Sequence, residues 1–242
     1  MSVTAHLNDI QTLWTQVRRA HTDDISEVRR ARSDLLQRYG TASWRYLMGA
    51  LRDKDAADEV YQEFSLRLIR GDFHNAAPEK GRFRSFIKSV LYRMVIDYHR
   101  GVKRNASPYA LESHLLPAEP DHRANEFDKA CREMLLAETW EKLAEAEQRT
   151  GKLFYSTLKL RAEYPEARSP ALAVLVSDAV GKEVSVVNLR VMVHRAREMF
   201  GHLLIQAVLE SIDSGSREDV EEELAALGLL HYCGRALERL SA

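Results

Sequence analysis

The chain has 242 residues, of which 45% are hydrophobic and 29% charged, with a formal net charge of −1. This balance argues against general disorder, a collagen-like repeat or a protein that coats nucleic acid indiscriminately, and no apolar run reaches the length of a membrane-spanning helix. The two cysteines, Cys131 and Cys233, lie far apart and share no metal-ligand spacing with histidine, and residues 1–6 lack a basic start followed by an apolar core; a reducing, cytoplasmic setting without membrane insertion is expected.

Apolar residues recur at intervals of three and four with no sustained two-residue alternation, so the expected class is all-α, as two small helical domains. Residues 7–20 form a first helix with Ile10, Leu13, Trp14 and Val17 on one side. The next is expected to end near Tyr39 and Gly40, where glycine can take the left-handed conformation. Trp44, Leu47, Met48 and Leu51 then mark another helix.

Residues 53–68 follow, with an acidic start and Gln62-Glu63-Phe64 at the centre. Val60, Tyr61, Phe64 and Leu68 make an apolar face, and Asp58, Gln62 and Arg67 project elsewhere, as in a docking helix. An ordinary amphipathic surface helix has the same periodicity, so spacing alone does not assign it. Gly71 stops this helix, a loop runs through Pro78, and residues 83–100 form a basic, aromatic helix. Residues 80–104 hold eight Lys or Arg against one acid, Asp97, a net of +7 interleaved with Phe83, Phe86, Tyr92 and Tyr98. Positive charge beside aromatic faces suits phosphate binding with base stacking.

Pro108, Pro117 and Pro120 interrupt helical periodicity, so residues 105–127 are expected to be a linker. A second block begins near Asp128, runs through Met134, Leu135, Trp140 and Leu143, and resumes after Gly151 with Leu153, Phe154, Leu158 and Leu160. Ser169-Pro170 opens a capped helix, 180–185 make a glycine-containing turn, and residues 186–204 form a longer helix. Val187, Leu189, Val193, Ala196, Met199 and Phe200 are available to its core, and Asn188, Arg190, His194, Arg195 and Arg197 to its exposed side. This is the helix-turn-helix pattern, whose second helix enters the major groove. The tail carries Glu218, Asp219, Glu221, Glu222 and Glu223.

Together the two blocks resemble sigma factors of the extracytoplasmic-function type, the compact members of the sigma-70 family that carry only regions 2 and 4. The resemblance rests on Asp55-Ala56-Ala57-Asp58 followed by Gln62-Glu63-Phe64, on Asp97-Tyr98-His99-Arg100 ending the aromatic helix, and on His194-Arg195-Ala196-Arg197. It implies an N-terminal extension over 1–30, region 2 over 31–104, the linker, region 4 over 128–210 and an acidic, amphipathic extension over 211–242. It also implies a partner, core RNA polymerase through its β′ clamp helices and β flap, together with promoter DNA. Asp55, Asp58, Gln62, Glu63, Phe64 and Arg67 would dock on the clamp helices. Phe86, Lys88, Tyr92, Arg93, Asp97 and Arg100 would face the −10 element, where the duplex melts and a displaced base is captured. Asn188, Arg190, Val191, His194, Arg195 and Arg197 would read the −35 element. Phe73, residues 78–86 and residues 227–233 resemble a subgroup frequent in planctomycete bacteria and associated with Ser/Thr protein kinases.

Two departures from the family pattern carry expectations. Arg93 stands where the family often has Asn in the base pocket, which alters base identity at −10. Ala57 stands where a carboxylate is usual, a deficit expected to weaken docking by about 1 to 2 kcal/mol. Phosphorylation of Ser65, or of Thr41 or Ser43, would restore that charge. A Ser/Thr kinase or an anti-sigma factor is a further expected partner, and the acidic tail is a candidate shield for the basic helix. A helix-turn-helix regulator independent of polymerase is the competing reading. The scattered histidines and the lack of a phosphate loop or nucleophile elbow predict no catalytic residue, cofactor or metal.

Overall fold

The computed structural model describes residues 25–70, 72–73, 83–105, 120–212 and 216–238, and every regular element among them is helical. These are α1 (Ile25–Leu51), α2 (Lys54–Arg70), α3 (Phe83–Asn105), α4 (Pro120–Thr150), α5 (Phe154–Glu163), α6 (Ser169–Val180), α7 (Val186–Leu209), α8 (Arg217–Ala226), a 3₁₀ turn (Leu230–Tyr232) and α9 (Gly234–Glu238). The helix expected over 7–20 lies outside the described residues. The chain divides into two compact units: the described residues up to 134 with 209–212, and residues 135–208 with 216–238.

In the first unit α1, α2 and α3 pack pairwise. The helix expected to end at Gly40 instead runs unbroken to Leu51. Glycine serves packing there, not capping: a Cβ at position 40 would stand 2.6 Å from the Tyr61 hydroxyl oxygen. α1 ends at Arg52, a non-glycine residue at φ 54°, whose N–H donates to the Met48 carbonyl at 3.0 Å. The next residue starts α2, because Asp53 Oδ1 accepts from the Ala56 N–H at 2.8 Å and satisfies one orphan donor of the first turn. The core takes Leu35, Tyr39 and Leu47 from α1, Val60, Phe64 and Leu68 from α2, and Phe83, Ile87 and Leu91 from α3. An aromatic chain continues it, with ring centroids 5.4 Å apart for Tyr39–Phe83, 5.9 Å for Phe83–Phe86, 5.8 Å for Phe86–Phe73 and 6.0 Å for Phe73–Phe64.

The last residues of the expected linker, from Pro120, are helical. Pro120 opens α4, a position where the missing N–H costs nothing, and the helix carries Phe127, Ala130 and Cys131 at i, i+3 and i+4 into the first unit's core. Phe127 meets Tyr46 edge-on at 6.2 Å, and Arg45 pairs with Glu133, holding that carboxyl below its usual range. The expected boundaries at 30/31 and 127/128 therefore both fall inside helices.

In the second unit Gly151, at φ 67°, breaks α4 from α5. α6 and α7 form the helix-turn-helix around Leu172, Ala173, Val176 and Leu189, with Leu160, Val184, Met192 and Val193 against them. Gly181, at φ 65°, takes the left-handed position that ends α6, and Ser177 Oγ accepts from the Val184 N–H at 2.9 Å inside the turn. Ser185 Oγ accepts from the Asn188 N–H at 3.2 Å and starts α7, which runs five residues past its expected end, to Leu209. Ser169 is not the expected cap; Arg168 holds that position with no side-chain hydrogen bond.

Residues 216–238 complete this unit. Ser216 caps α8 by accepting from the Asp219 N–H, and Val220, Leu224, Leu227, Leu229, Cys233 and Leu237 are all buried. The segment lies on α7 at Gly201, where an added Cβ would stand 2.9 Å from the Tyr232 carbonyl oxygen. Tyr232 joins an aromatic chain, 6.0 Å from Phe200, which lies 5.1 Å from Trp140.

Candidate nucleic-acid and partner interfaces

α2 has one side in the core and one in solvent, and the expected docking residues divide between them. Phe64 is wholly buried, so it holds α2 in place and presents nothing to a partner. Asp58 Oδ1 accepts from Trp44 Nε1–H at 2.7 Å, tying α2 to α1. Arg67 pairs with Glu63 at 2.7 Å on a half-exposed surface. Asp55 and Gln62 are exposed, as expected. With Glu59, Leu66 and Ile69 they form a stripe at 55, 59, 62, 66 and 69, alternating steps of four and three along one side of the helix. Leu66 is 45% exposed and Ile69 50%, so the stripe is acidic at its start and apolar at its end. The sequence reading gave these two no side of the helix; their spacing from Gln62, out of phase with Val60, Phe64 and Leu68, was the available signal.

Ala57 is fully buried. A carboxylate there would enter the core, so the expected charge deficit on the docking surface does not exist at this position. Ser43 is buried too, which removes it as a modification site in the folded chain. Ser65 is partly buried, and its Oγ donates to the Tyr61 carbonyl at 2.8 Å.

On α3 the buried side is Phe83, Ile87, Leu91, Met94 and Val95, and the exposed one carries Tyr92, Arg93, Asp97 and Arg100. Two members of the basic run turn elsewhere. Arg84 is 8% exposed and pairs with Asp128 of α4, and Lys88 Nζ lies 2.8 Å from the other oxygen of the same carboxylate. Lys88, an expected DNA contact, is thus held inside the unit. Phe86 is half-buried in the aromatic chain. Arg100 lies 3.7 Å from Asp97 with both largely exposed, a weak pair that leaves the cation available. Burial, with the Glu59 and Asp53 carboxylates adding to it, raises the Tyr98 phenol above its usual value.

On α7 the expected reading residues Asn188, Arg190, Val191, His194, Arg195 and Arg197 are all exposed. Val187, assigned to the core from spacing, is 68% exposed and joins them. His194 is the engaged member: its Nδ1 lies 2.6 Å from an Arg235 guanidinium nitrogen and its Nε2 3.5 Å from Glu198 Oε1. With Arg235 donating, Nδ1 accepts and the ring proton sits on Nε2, toward Glu198. A groove of about 1010 Å³ opens between this side of α7, the start of α6 and the C-terminal segment.

Residues 35–105 match the family model of Sigma-70 region 2. The match runs from within α1 to the last residue of α3, so it covers the helix that carries the outward stripe and the helix that carries Tyr92 and Arg93. It supports a sigma-70-family role in RNA polymerase binding and promoter recognition. No curated protein and no solved structure matches the chain. Among the described residues, no helix is long and apolar enough to cross a membrane.

Proposed function

We propose that the chain is a sigma factor of the extracytoplasmic-function type, directing core RNA polymerase to a specialised set of promoters. The exposed stripe of α2 docks on the β′ clamp helices, with Asp55, Glu59 and Gln62 making polar contacts and Leu66 and Ile69 the apolar ones. The outer side of α3 meets the −10 element, where Tyr92 offers a stacking surface and Arg93 and Arg100 hold phosphates. α7 reads the −35 element from the major groove, Asn188 and Arg190 being suited to adenine and guanine edges. The carrying observation is the coincidence of the region 2 match with two helices whose outer faces hold an acidic-apolar stripe and an aromatic-basic one.

The chain works in the cytoplasm and has no catalytic role of its own. The kinase-associated subgroup is the narrower assignment, and a Ser/Thr kinase or anti-sigma factor its regulatory partner. Ser65 is the hydroxyl on α2 that such a kinase would reach, but its motive as a replacement for charge missing at position 57 falls with the burial of Ala57.

Run-off transcription with core polymerase on a promoter library tests this reading. The expected result is initiation at templates sharing two spaced elements, and stable binding of the chain to core polymerase without DNA. Duplex binding with no affinity for core polymerase would establish the competing reading, a free-standing helix-turn-helix regulator.

A further inference from the structure

Five arginines and two glutamates line the groove beside α7. They come from three places: Arg161 and Arg168 before α6, Arg190 and Arg197 on α7, and Arg235 on α9. Arg161 is committed, donating to the carbonyls of Ala167 and Pro165. Arg168, Arg190, Arg197 and Arg235 are exposed at the groove, as is His231. α6 begins at this groove without a side-chain cap, so the positive end of its dipole adds to the same field.

The C-terminal segment divides by charge. Its acids, Glu218 to Glu223, lie on α8 and line no part of the groove, whereas its groove residues are His231, Tyr232, Gly234, Arg235 and Ala236. Within this unit the extension therefore adds positive charge beside the reading helix.

We propose that the groove binds the phosphate backbone of duplex DNA flanking the bases read by α7, with Arg235, brought in by the C-terminal extension, as a phosphate ligand. Several features fix Arg235 for this task. Its guanidinium donates to His194 on α7, Cys233 is buried two residues before it, and the Tyr232 carbonyl fits the space left by Gly201. A guanidinium with five donors spends one on the imidazole and keeps others for a phosphate. Arg197 on α7 and Arg168 before α6 supply, with Arg235, an array suited to a continuous strand, where a single phosphate monoester needs fewer cations. The inference rests on the reading of α7 as the DNA-contacting helix.

The test uses the full chain assembled with core polymerase, on mixed-sequence and selected promoter duplexes, over a salt series. Arg235→Gln is expected to weaken binding to every duplex by a similar factor, roughly threefold to tenfold, and to reduce the slope of log K against log salt by about 0.9. Arg235→Lys is expected to restore most of the slope, and Arg195→Gln to change preference among sequences. Thermal melts of each variant establish that it folds. If Arg195→Gln alters sequence preference while Arg235→Gln leaves slope and affinity unchanged, the phosphate assignment falls and the reading of α7 stands. If the wild-type assembly ignores duplex sequence and Arg195→Gln changes nothing, the reading of α7 itself fails. Tighter binding by Arg235→Gln would make the segment a mask, and Arg235-dependent capture of a phosphopeptide without any effect on duplex binding would make the groove a protein-docking site; either overturns the proposal.

Discussion

On α2 and α3 the expected contact residues divide, with Phe64 wholly buried, Asp58 accepting from Trp44 and Lys88 held by Asp128 while Asp55, Gln62, Tyr92, Arg93, Asp97 and Arg100 stand exposed, whereas on α7 Asn188, Arg190, Val191, Arg195 and Arg197 are all exposed. The difference follows from how many neighbours each helix has. α2 and α3 pack against one another and against α1, and α4 adds Asp128 to the side of α3, so polar residues such as Asp58, Arg84 and Lys88 meet a partner on a neighbouring helix. The first part of α7 touches its neighbours through Leu189, Met192 and Val193 and leaves the remaining arc open. A motif on a surrounded helix records both what positions the helix and what it presents, as the buried Phe64 and the exposed Gln62 do two residues apart.

The largest break in that comparison is expected at Phe64. Phe64→Ala removes a wholly buried ring at the end of an aromatic chain and should cost about 3 to 5 kcal/mol, while Gln62→Ala, two residues away, should stay within about 0.5 kcal/mol. Urea unfolding distinguishes them, and a mild Phe64→Ala would mean that α2 is held by something other than this core. Next comes Asp128→Ala, which leaves Arg84, 8% exposed, and Lys88 without their shared carboxylate. With the pair partly solvated, a loss of about 2 kcal/mol is expected, below that of a fully buried ion pair. An unchanged urea midpoint would show that water replaces Asp128 fully.

These two residues also mark what was legible in the sequence. Helical class, the turn at Gly181 and the break at Gly151 follow from local chemistry, because left-handed glycines and apolar periodicity act within a few residues. The first parts of the candidate interfaces were legible for the same reason, as Gln62, Arg93 and Asn188 stand out of phase with their core neighbours. Lys88 was not, since its partner lies 40 positions away at a residue expected to open the second domain. Gly40 was misread because a glycine required by the Tyr61 hydroxyl looks, in sequence, like one required by a helix end. Arg235 went unnoticed because only the folded chain brings it to His194.

The exposed part of the α2 stripe sharpens the comparison from the other side. Leu66→Glu should leave the melting temperature nearly unchanged and weaken core polymerase binding about tenfold, as expected for an apolar contact near the centre of an interface. Loss of folding instead would place Leu66 in the core, against its 45% exposure.

The C-terminal segment offers a smaller, pH-dependent test. Burial pushes the Cys233 thiol up to about 12. A raised pKa keeps its stabilising effect below the unfolded thiol's value and loses it as pH climbs toward the folded one, here a window from about pH 9 to pH 12. Between pH 8 and pH 10 the native chain should lose about 1 kcal/mol more stability than Cys233→Ala does. Parallel pH profiles would show that the thiol ionises alike in both states, and that residues 230–238 do not keep it from water.

The smallest effect is expected at the α1–α2 turn. Arg52 holds φ 54°, a conformation that costs a side chain with a Cβ and costs glycine little. Arg52→Gly relieves that strain while giving the unfolded chain more freedom, and the two oppose each other. A net gain of about 0.5 kcal/mol is expected, read as a small rise in the urea midpoint with an unchanged slope. Because Arg52 is exposed and stands immediately before the Asp53 cap, a decrease would mean that its cation contributes to the acidic surroundings of Asp53, Asp55 and Glu59 more than its backbone costs. That outcome would tie the geometry of the turn to the charge of the docking stripe, and core polymerase binding by the same variant would then fall along with its stability.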